Sequence, residues 1–119
     1  MTLENIMKQH NFVVVGNTIL DDKYAYKIKH GLLDKGYNVS CVYKELESIN
    51  DVAEDIDVLV LCINPVLGLK LLKECRKNIK AVVIQPGAES EEIKDYLEDN
   101  EIPYLEGCVL VGLRLYANK

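Results

Sequence analysis

The chain has 119 residues, of which 14 are Lys or Arg and 19 are Asp or Glu, so its formal net charge is −5. Apolar residues make up 49% of it, which excludes a disordered chain, and no apolar run approaches the roughly 20 residues of a membrane-spanning helix. The negative charge argues against broad binding to nucleic acid or to anionic membranes. The sequence opens without a basic, apolar leader, so we expect one cytoplasmic domain over residues 1–119.

The cysteines and histidines show no spacing typical of a metal site. The cysteines at positions 41, 62, 75 and 108 form no Cys-x-x-Cys or Cys/His pair, so we predict no metal. We expect all four to be reduced and to pack as small apolar side chains, although Cys108 follows Gly107 where a loop would meet a strand. His10 and His30 are flanked by polar residues and are expected to face solvent.

Helical patterns and apolar runs alternate along the whole chain. The run Phe12–Val15, which ends at Gly16, contains only β-branched and aromatic residues, as in a strand buried on both faces of a parallel sheet. Strict alternation of this kind predicts a three-layer α/β/α domain with a parallel sheet of about five strands. The other predicted strands are Tyr37–Tyr43, Val58–Ile63, Ala81–Ile84, and one or two strands within Ile102–Leu105 and Val109–Leu113. The predicted helices begin after Thr2, after Asp21 or Asp22, after Ser48, at Pro65, and near Glu89.

The carboxyl ends of parallel strands are where a ligand binds such a sheet, at the point where the direction of winding reverses. We call the residues just after each predicted strand its tip. The tip of the first strand suits a phosphate, because a loop that leads into a helix presents backbone N–H groups. Gly16 lies where a dinucleotide fingerprint begins, but the second and third glycines of that fingerprint are missing. Four polar or Gly/Pro-containing tips can be read directly: Gly16-Asn17-Thr18, Tyr43-Lys44, Asn64-Pro65 and Gln85-Pro86-Gly87.

The second tip bears on the kind of nucleotide. A ribose diol would be bound by an acidic residue at the end of the second strand, where this chain has Tyr43 and Lys44, with Glu45 beyond. A lysine suits a phosphorylated ribose better, and a tyrosine can flank an adenine. This tip therefore favours a ligand other than NAD.

Several of these segments, in this order, resemble the small stand-alone CoA-binding proteins, whose domain is similar to the nucleotide-binding domain of the succinyl-CoA synthetase alpha subunit. The resemblance runs from about Leu3 to Leu113 and implies a Rossmann-like fold. It rests on Phe12–Thr18, on Tyr24–Ile28, on Leu33–Val39, on Gln85-Pro86-Gly87 as a Gln-x-Gly motif, and on Glu106-Gly107-Cys108 as a cysteine-containing final strand.

The resemblance also implies roles for individual residues. Backbone amides of Gly16, Asn17 and Thr18 would hold phosphates, with a further contact from the Thr18 hydroxyl, and Lys23 or Tyr24 would reach the same phosphates. The remaining positions divide between the two ends of the ligand: Tyr43 and Lys44 at the adenosine 3′-phosphate, and Asn64, Pro65, Gln85, Pro86 and Gly87 along the pantetheine.

The chain departs from the family pattern at three places. Ser40–Lys44 stands where the family has Pro-Val-Asn-Pro, the segment that follows it is shorter, and Asn64–Val66 lacks the family's arginines. No constellation of side chains supports catalysis. The leading hypothesis is thus a protein that binds CoA or acyl-CoA without chemistry of its own, with a homodimer as a possible assembly. The alternatives are another nucleotide ligand, NAD(P) included, and a degenerate domain that acts through a protein partner.

Overall fold

The computed structural model describes residues 1–117, so the last two residues of the predicted domain lie outside it. These residues form one five-stranded sheet in the order β2-β1-β3-β4-β5, with every neighbouring pair parallel. The strands are β1 (Asn11–Gly16), β2 (Asn38–Tyr43), β3 (Val58–Cys62), β4 (Val82–Ile84) and β5 (Tyr104–Glu106). The helices are α1 (Leu3–Ile6), α2 (Tyr24–Asp34), α3 (Pro65–Glu74), α4 (Glu91–Asp99) and α5 (Val109–Tyr116), with a 3₁₀ turn at Ile49–Asp51.

Two apolar cores lie on the two faces of the sheet, because successive side chains of a strand point to opposite sides. In β1, Val13 and Val15 enter the core that α3 and α4 cover, whereas Phe12 and Val14 enter the core that α1, α2 and α5 cover. All four side chains are at most 1% exposed, as expected of the central strand of a parallel sheet. The predicted three-layer α/β/α architecture is confirmed.

The prediction that Val109–Leu113 forms a strand is wrong. These residues begin α5, which packs on α1 so closely that a side chain at Gly112 would approach Met7 within 2.9 Å and Leu3 within 3.1 Å. A short apolar run cannot distinguish a buried helix from a buried strand. The final strand is β5, and Cys108 precedes a helix where we expected a strand.

The start of α2 also differs from its prediction. Neither Asp21 nor Asp22 caps the helix, because a turn closed by the bond from the Lys23 N–H to the Leu20 carbonyl carries the chain two residues further. Lys23 is the N-cap residue, and its side chain makes no capping hydrogen bond. The same helix ends at Asp34, and Gly36 just beyond it adopts the left-handed conformation at φ 85°.

The amino ends of the strands are joined by hydrogen bonds from side chains to the backbone. The Asp57 carboxylate accepts from the backbone N–H groups of His10 (3.3 Å) and Asn11 (3.0 Å), and it pairs with Lys80 at 3.1 Å. Burial opposes its ionisation, but these donors outweigh burial and lower the pKa of Asp57. At this end of the sheet the Asp57 carboxylate is thus bonded within the protein, beside a shallow cavity of about 270 Å³.

Candidate functional site

A cleft of about 380 Å³ opens at the carboxyl ends of the strands. The chain runs from β1 outward to β2 and then returns to β3 on the other side of β1, so the winding reverses between β1 and β3. A crevice is expected at that point. The cleft is lined from the loop after β1, the start of α2, the end of β3 and the turn after β4: Asn17, Lys23, Tyr24, Ala25, Cys62, Ile63, Asn64, Pro86, Gly87 and Ala88.

The start of α2 forms one wall of this cleft. The first N–H groups of a helix have no partner within the helix, and Lys23 supplies no side-chain cap. The Asn17 side chain serves the loop instead, since its Oδ1 accepts from the N–H groups of Ile19 (3.1 Å) and Leu20 (3.2 Å). The wall therefore presents helix N–H groups and the positive end of the helix dipole beside a lysine.

The helix approaches the sheet this closely because residue 16 is glycine. A Cβ atom at Gly16 would collide with the carbonyl oxygen of Cys62 and would lie 2.9 Å from the Cβ of Ala25. Gly16 is itself buried. Its role is to let β1, β3 and α2 converge beneath the cleft.

The tip of β2 carries a hydrogen-bonded cluster that sequence reasoning missed. The Glu45 carboxylate accepts from the Thr18 hydroxyl at 2.6 Å and from Lys29 at 2.8 Å. Burial opposes its ionisation, but hydrogen bonds from Lys29, Thr18 and Cys41 lower the pKa of Glu45. Thr18 is 1% exposed and its hydroxyl donates to Glu45, so a phosphate contact from this hydroxyl stays a prediction.

A smaller cavity of about 170 Å³ continues from the cleft toward β4 and is lined by Tyr24, Cys62, Gln85, Pro86 and Cys108. Gln85 is 2% exposed, and both ends of its amide have a partner, since its Oε1 accepts from the Val109 N–H at 2.7 Å and its Nε2 donates to the Cys108 sulfur at 3.5 Å. The side chain of Gln85 thus caps α5. Cys62, expected to be buried, is only partly covered, because β3 ends there at the cleft.

The structure brings together about half of the predicted site residues. The cleft contains Asn17, Lys23, Tyr24, Asn64, Pro86 and Gly87, and Gln85 lines the adjoining cavity. Ala25, Cys62, Ile63, Ala88 and Cys108 were missed, since apolar and thiol side chains give no signal of their own in a sequence. The others lie outside both cavities: Gly16 and Thr18 beneath the cleft, Pro65 in the first turn of α3, and Tyr43 and Lys44 exposed at the tip of β2.

Asn64 forms the opposite wall and differs from Lys23 in its bonding. Its Oδ1 accepts from the Leu67 N–H at 3.0 Å, and Pro65 has no N–H to offer, so α3 is capped by its own residues. Within residues 1–117 no group of three or more His, Cys, Asp or Glu side chains is placed to hold a metal ion. In the same residues no helix is long and apolar enough to cross a membrane.

The parallel strand order and the crevice where the winding reverses define a Rossmann-like α/β domain. The chain belongs to the CoA-binding domain family, since the sequence model of that family, described as a CoA binding domain, matches residues 10–114. The resemblance noted in the sequence is thereby confirmed.

Solved structures of similar proteins have the same fold. A conserved hypothetical protein from Pyrococcus furiosus is 31% identical with a TM-score of 0.77, over 87% of this chain and 98% of that one. A hypothetical protein from Pyrococcus horikoshii OT3 has 21% identity and a TM-score of 0.86, over 98% and 92% of the two chains. A protein from Thermus thermophilus has 20% identity and a TM-score of 0.79, over 96% and 98%. The last two show the fold alone. No curated protein matches the chain.

Proposed function

We propose that this domain binds CoA or an acyl-CoA in the cleft at the carboxyl ends of β1 and β3, without catalysis of its own. Membership of the CoA-binding domain family carries this proposal. The geometry supports it, because the cleft lies at the reversal of winding and one wall is a helix start that its own N-cap side chain leaves open. An exposed lysine at that helix start adds positive charge where phosphates would lie.

We place the ligand across the carboxyl edge of the sheet, with its adenosine end toward β2 and its pantetheine toward β4. The phosphates lie at the loop 16–18 and at Lys23 and Tyr24, with backbone N–H groups as the main donors. The adenosine end extends toward the tip of β2, where Tyr43 and Lys44 are exposed and the lysine lies 5.0 Å from the tyrosine ring centre. The pantetheine then passes Asn64 and Pro65 on one side and the turn 85–87 on the other.

A thermal-shift measurement with a matched pair of variants tests this placement. Under reducing conditions CoA should raise the melting temperature, since a ligand at a hundredfold excess over its Kd adds about 2.7 kcal/mol to stability. Lys23→Gln should reduce the rise, because it removes the positive charge beside the phosphates. Lys35→Gln should keep the full rise, because Lys35 lies at the opposite end of α2. Equal rises in both variants would contradict the assignment of the phosphates to this helix start.

The adenosine end is tested by Lys44→Glu. If Lys44 lies beside the 3′-phosphate, this variant should lose more of the CoA response than of the dephospho-CoA response. We expect a difference of about tenfold in Kd, or 1.4 kcal/mol, from loss of a charge-assisted contact. An equal loss for the two ligands would remove Lys44 from this role.

One observation favours a second candidate, a nucleotide whose ribose hydroxyls are free. Glu45 follows β2 and contacts the loop after β1, which is where an acidic residue binds a ribose diol in dinucleotide-binding domains. NAD, NADP, ATP and dephospho-CoA therefore belong in the same thermal-shift series. A rise with NAD that exceeds the rise with CoA would support this candidate over the first.

A further inference from the structure

Two cysteines from distant parts of the sequence line the small cavity at the far end of the cleft. Cys62 is the last residue of β3 and Cys108 is the N-cap of α5, yet both line the same volume of about 170 Å³. The other two cysteines lie elsewhere, since Cys41 is buried in β2 and Cys75 ends α3. The fold thus places two partly accessible thiols together at the candidate site.

The surroundings of these two thiols differ. The Val109 N–H donates to Oε1 of Gln85, which fixes the side-chain amide so that Nε2 faces the Cys108 sulfur. The sulfur also lies at the start of the eight-residue helix α5, so an amide donor and the positive end of a helix both adjoin it. The Cys108 sulfur is thus held at the cavity by a hydrogen bond from Gln85 and by its place at the helix start.

Among residues 1–117, no hydrogen-bond donor contacts the Cys62 sulfur. Burial, together with the neighbouring charge of Cys108, raises the pKa of Cys62 to about 11, so this thiol stays protonated at neutral pH. Of the two sulfurs, Cys108 is therefore the one placed to act as a nucleophile.

We propose that Cys108 is a thiol–disulfide exchange site for the disulfide form of the thiol ligand that the cleft binds. This inference rests on the proposed function, which places the thiol end of the ligand toward β4. Deprotonated Cys108 attacks one sulfur of the ligand disulfide, the ligand's S–S bond breaks, and a mixed disulfide forms. The second half of the ligand leaves as a thiolate and takes a proton from solvent. The ligand disulfide is the oxidant, so no other is needed.

The test treats reduced protein, freed of reductant, with CoA disulfide, and locates adducts by intact mass and by peptide mapping without reduction. We expect one adduct, on Cys108, with a mass gain of one CoA less two hydrogens. Cys108→Ser should abolish the adduct and Cys75→Ser should keep it. For each disulfide, the rate with Cys108 is divided by the rate with free cysteine. This normalised rate should be on the order of tenfold higher for CoA disulfide than for hydroxyethyl disulfide, because binding raises the local concentration.

A second measurement uses the wild-type protein alone and does not depend on whether Cys108→Ser folds. Excess acetyl-CoA, which has no disulfide, should slow modification by CoA disulfide and leave modification by hydroxyethyl disulfide less affected. Adducts mainly on Cys62, Cys41 or Cys75, or equal normalised rates for the two disulfides, would overturn the proposal.

Measurements on the same wild-type protein distinguish failure of the exchange site from failure of CoA binding. If CoA raises the melting temperature under reductant but Cys108 is not modified, the exchange site fails and CoA binding stands. If neither effect is seen, both fail.

Discussion

The two ends of the sheet use their polar groups differently. At the amino ends of the strands, the Asp57 carboxylate is held by two backbone N–H groups and a lysine, and Lys77 donates to the carbonyl oxygens of Val52 and Glu54. At the carboxyl ends, α2 begins beside an open cleft at Lys23, whose side chain does not cap it. One end satisfies its backbone internally, and the other presents backbone groups to whatever enters the cleft.

This difference indicates how substitutions should divide. A change at the amino end removes bonds that the folded chain makes to itself, so it lowers stability. A change at the cleft wall removes contacts that only a ligand would complete, so it leaves the stability of the free protein nearly unchanged.

Gly16 should be an exception, because it lies at the cleft end of the sheet and yet its substitution should lower the stability of the free protein. Gly16→Ala is expected to lower the free energy of unfolding by about 3 kcal/mol, since its Cβ collides with backbone. Gly87→Ala is the control. At φ 91° with nothing within 4 Å it meets only backbone strain, about 1 kcal/mol. Urea unfolding of both variants measures the difference, and equal losses would contradict the close approach at Gly16.

Asp57 should be the most sensitive site at the amino ends of the strands. Asp57→Asn should lower the free energy of unfolding by about 2 kcal/mol at pH 7, because two backbone donors and Lys80 lose a charged acceptor. Asp55→Asn, at an exposed site two residues earlier, should have little effect. Urea unfolding at pH 7 gives both values, and a similar loss in the two variants would count against the role of Asp57.

The same variant has an expected pH dependence. The pKa of Asp57 is lowered in the folded state, so its stabilisation is fully present above the unfolded value of about 3.9 and is lost as the pH falls through the lower folded value. The stability difference between wild type and Asp57→Asn should therefore shrink below about pH 4. A difference that stays constant down to pH 2.5 would show that charge is not its source.

The smallest effect is expected at the two helix starts that face each other across the cleft. Asn64→Ala should lower the free energy of unfolding by about 1 kcal/mol, because it removes the cap of α3. Lys23→Ala should change it by less than about 0.5 kcal/mol, since no capping bond is lost. Chemical denaturation measures the free energy of unfolding of both variants. An equal loss in the two would show that the Lys23 side chain stabilises the start of α2 as much as the Asn64 cap stabilises α3.

Most of the fold could be predicted from the sequence because its signals are local. Apolar runs such as Phe12–Val15 and Val58–Leu61 are as buried as a central parallel strand requires, and Gly36 follows α2 in the left-handed conformation. The error at α5 had a physical cause. That helix packs against α1 and α2, so the apolar run at its start resembled a strand.

The part of the candidate site that could be predicted lies at the ends of strands, with Lys23 and Tyr24 added by the family resemblance. Asn17, Asn64 and Pro86 were found in this way. The contact between Thr18 and Glu45 joins residues 27 positions apart, and the bonds of Gln85 to Cys108 and Val109 span 23 and 24 positions. No local pattern encodes such pairs. The structure was needed to show that Thr18 and Gln85 are hydrogen-bonded within the protein and that Cys62 and Cys108 line the same cavity.

The position of β1 at the middle of the sheet has a consequence for how the chain folds. Its partners begin far along the sequence, with Phe12 beside Val39 on one side and beside Val58 on the other. Each pairing requires closure of a long loop before any ladder bond forms, so the domain should fold more slowly than a helical bundle of the same length. During synthesis, β1 leaves the ribosome well before β3 and remains without one of its two neighbours until β3 follows.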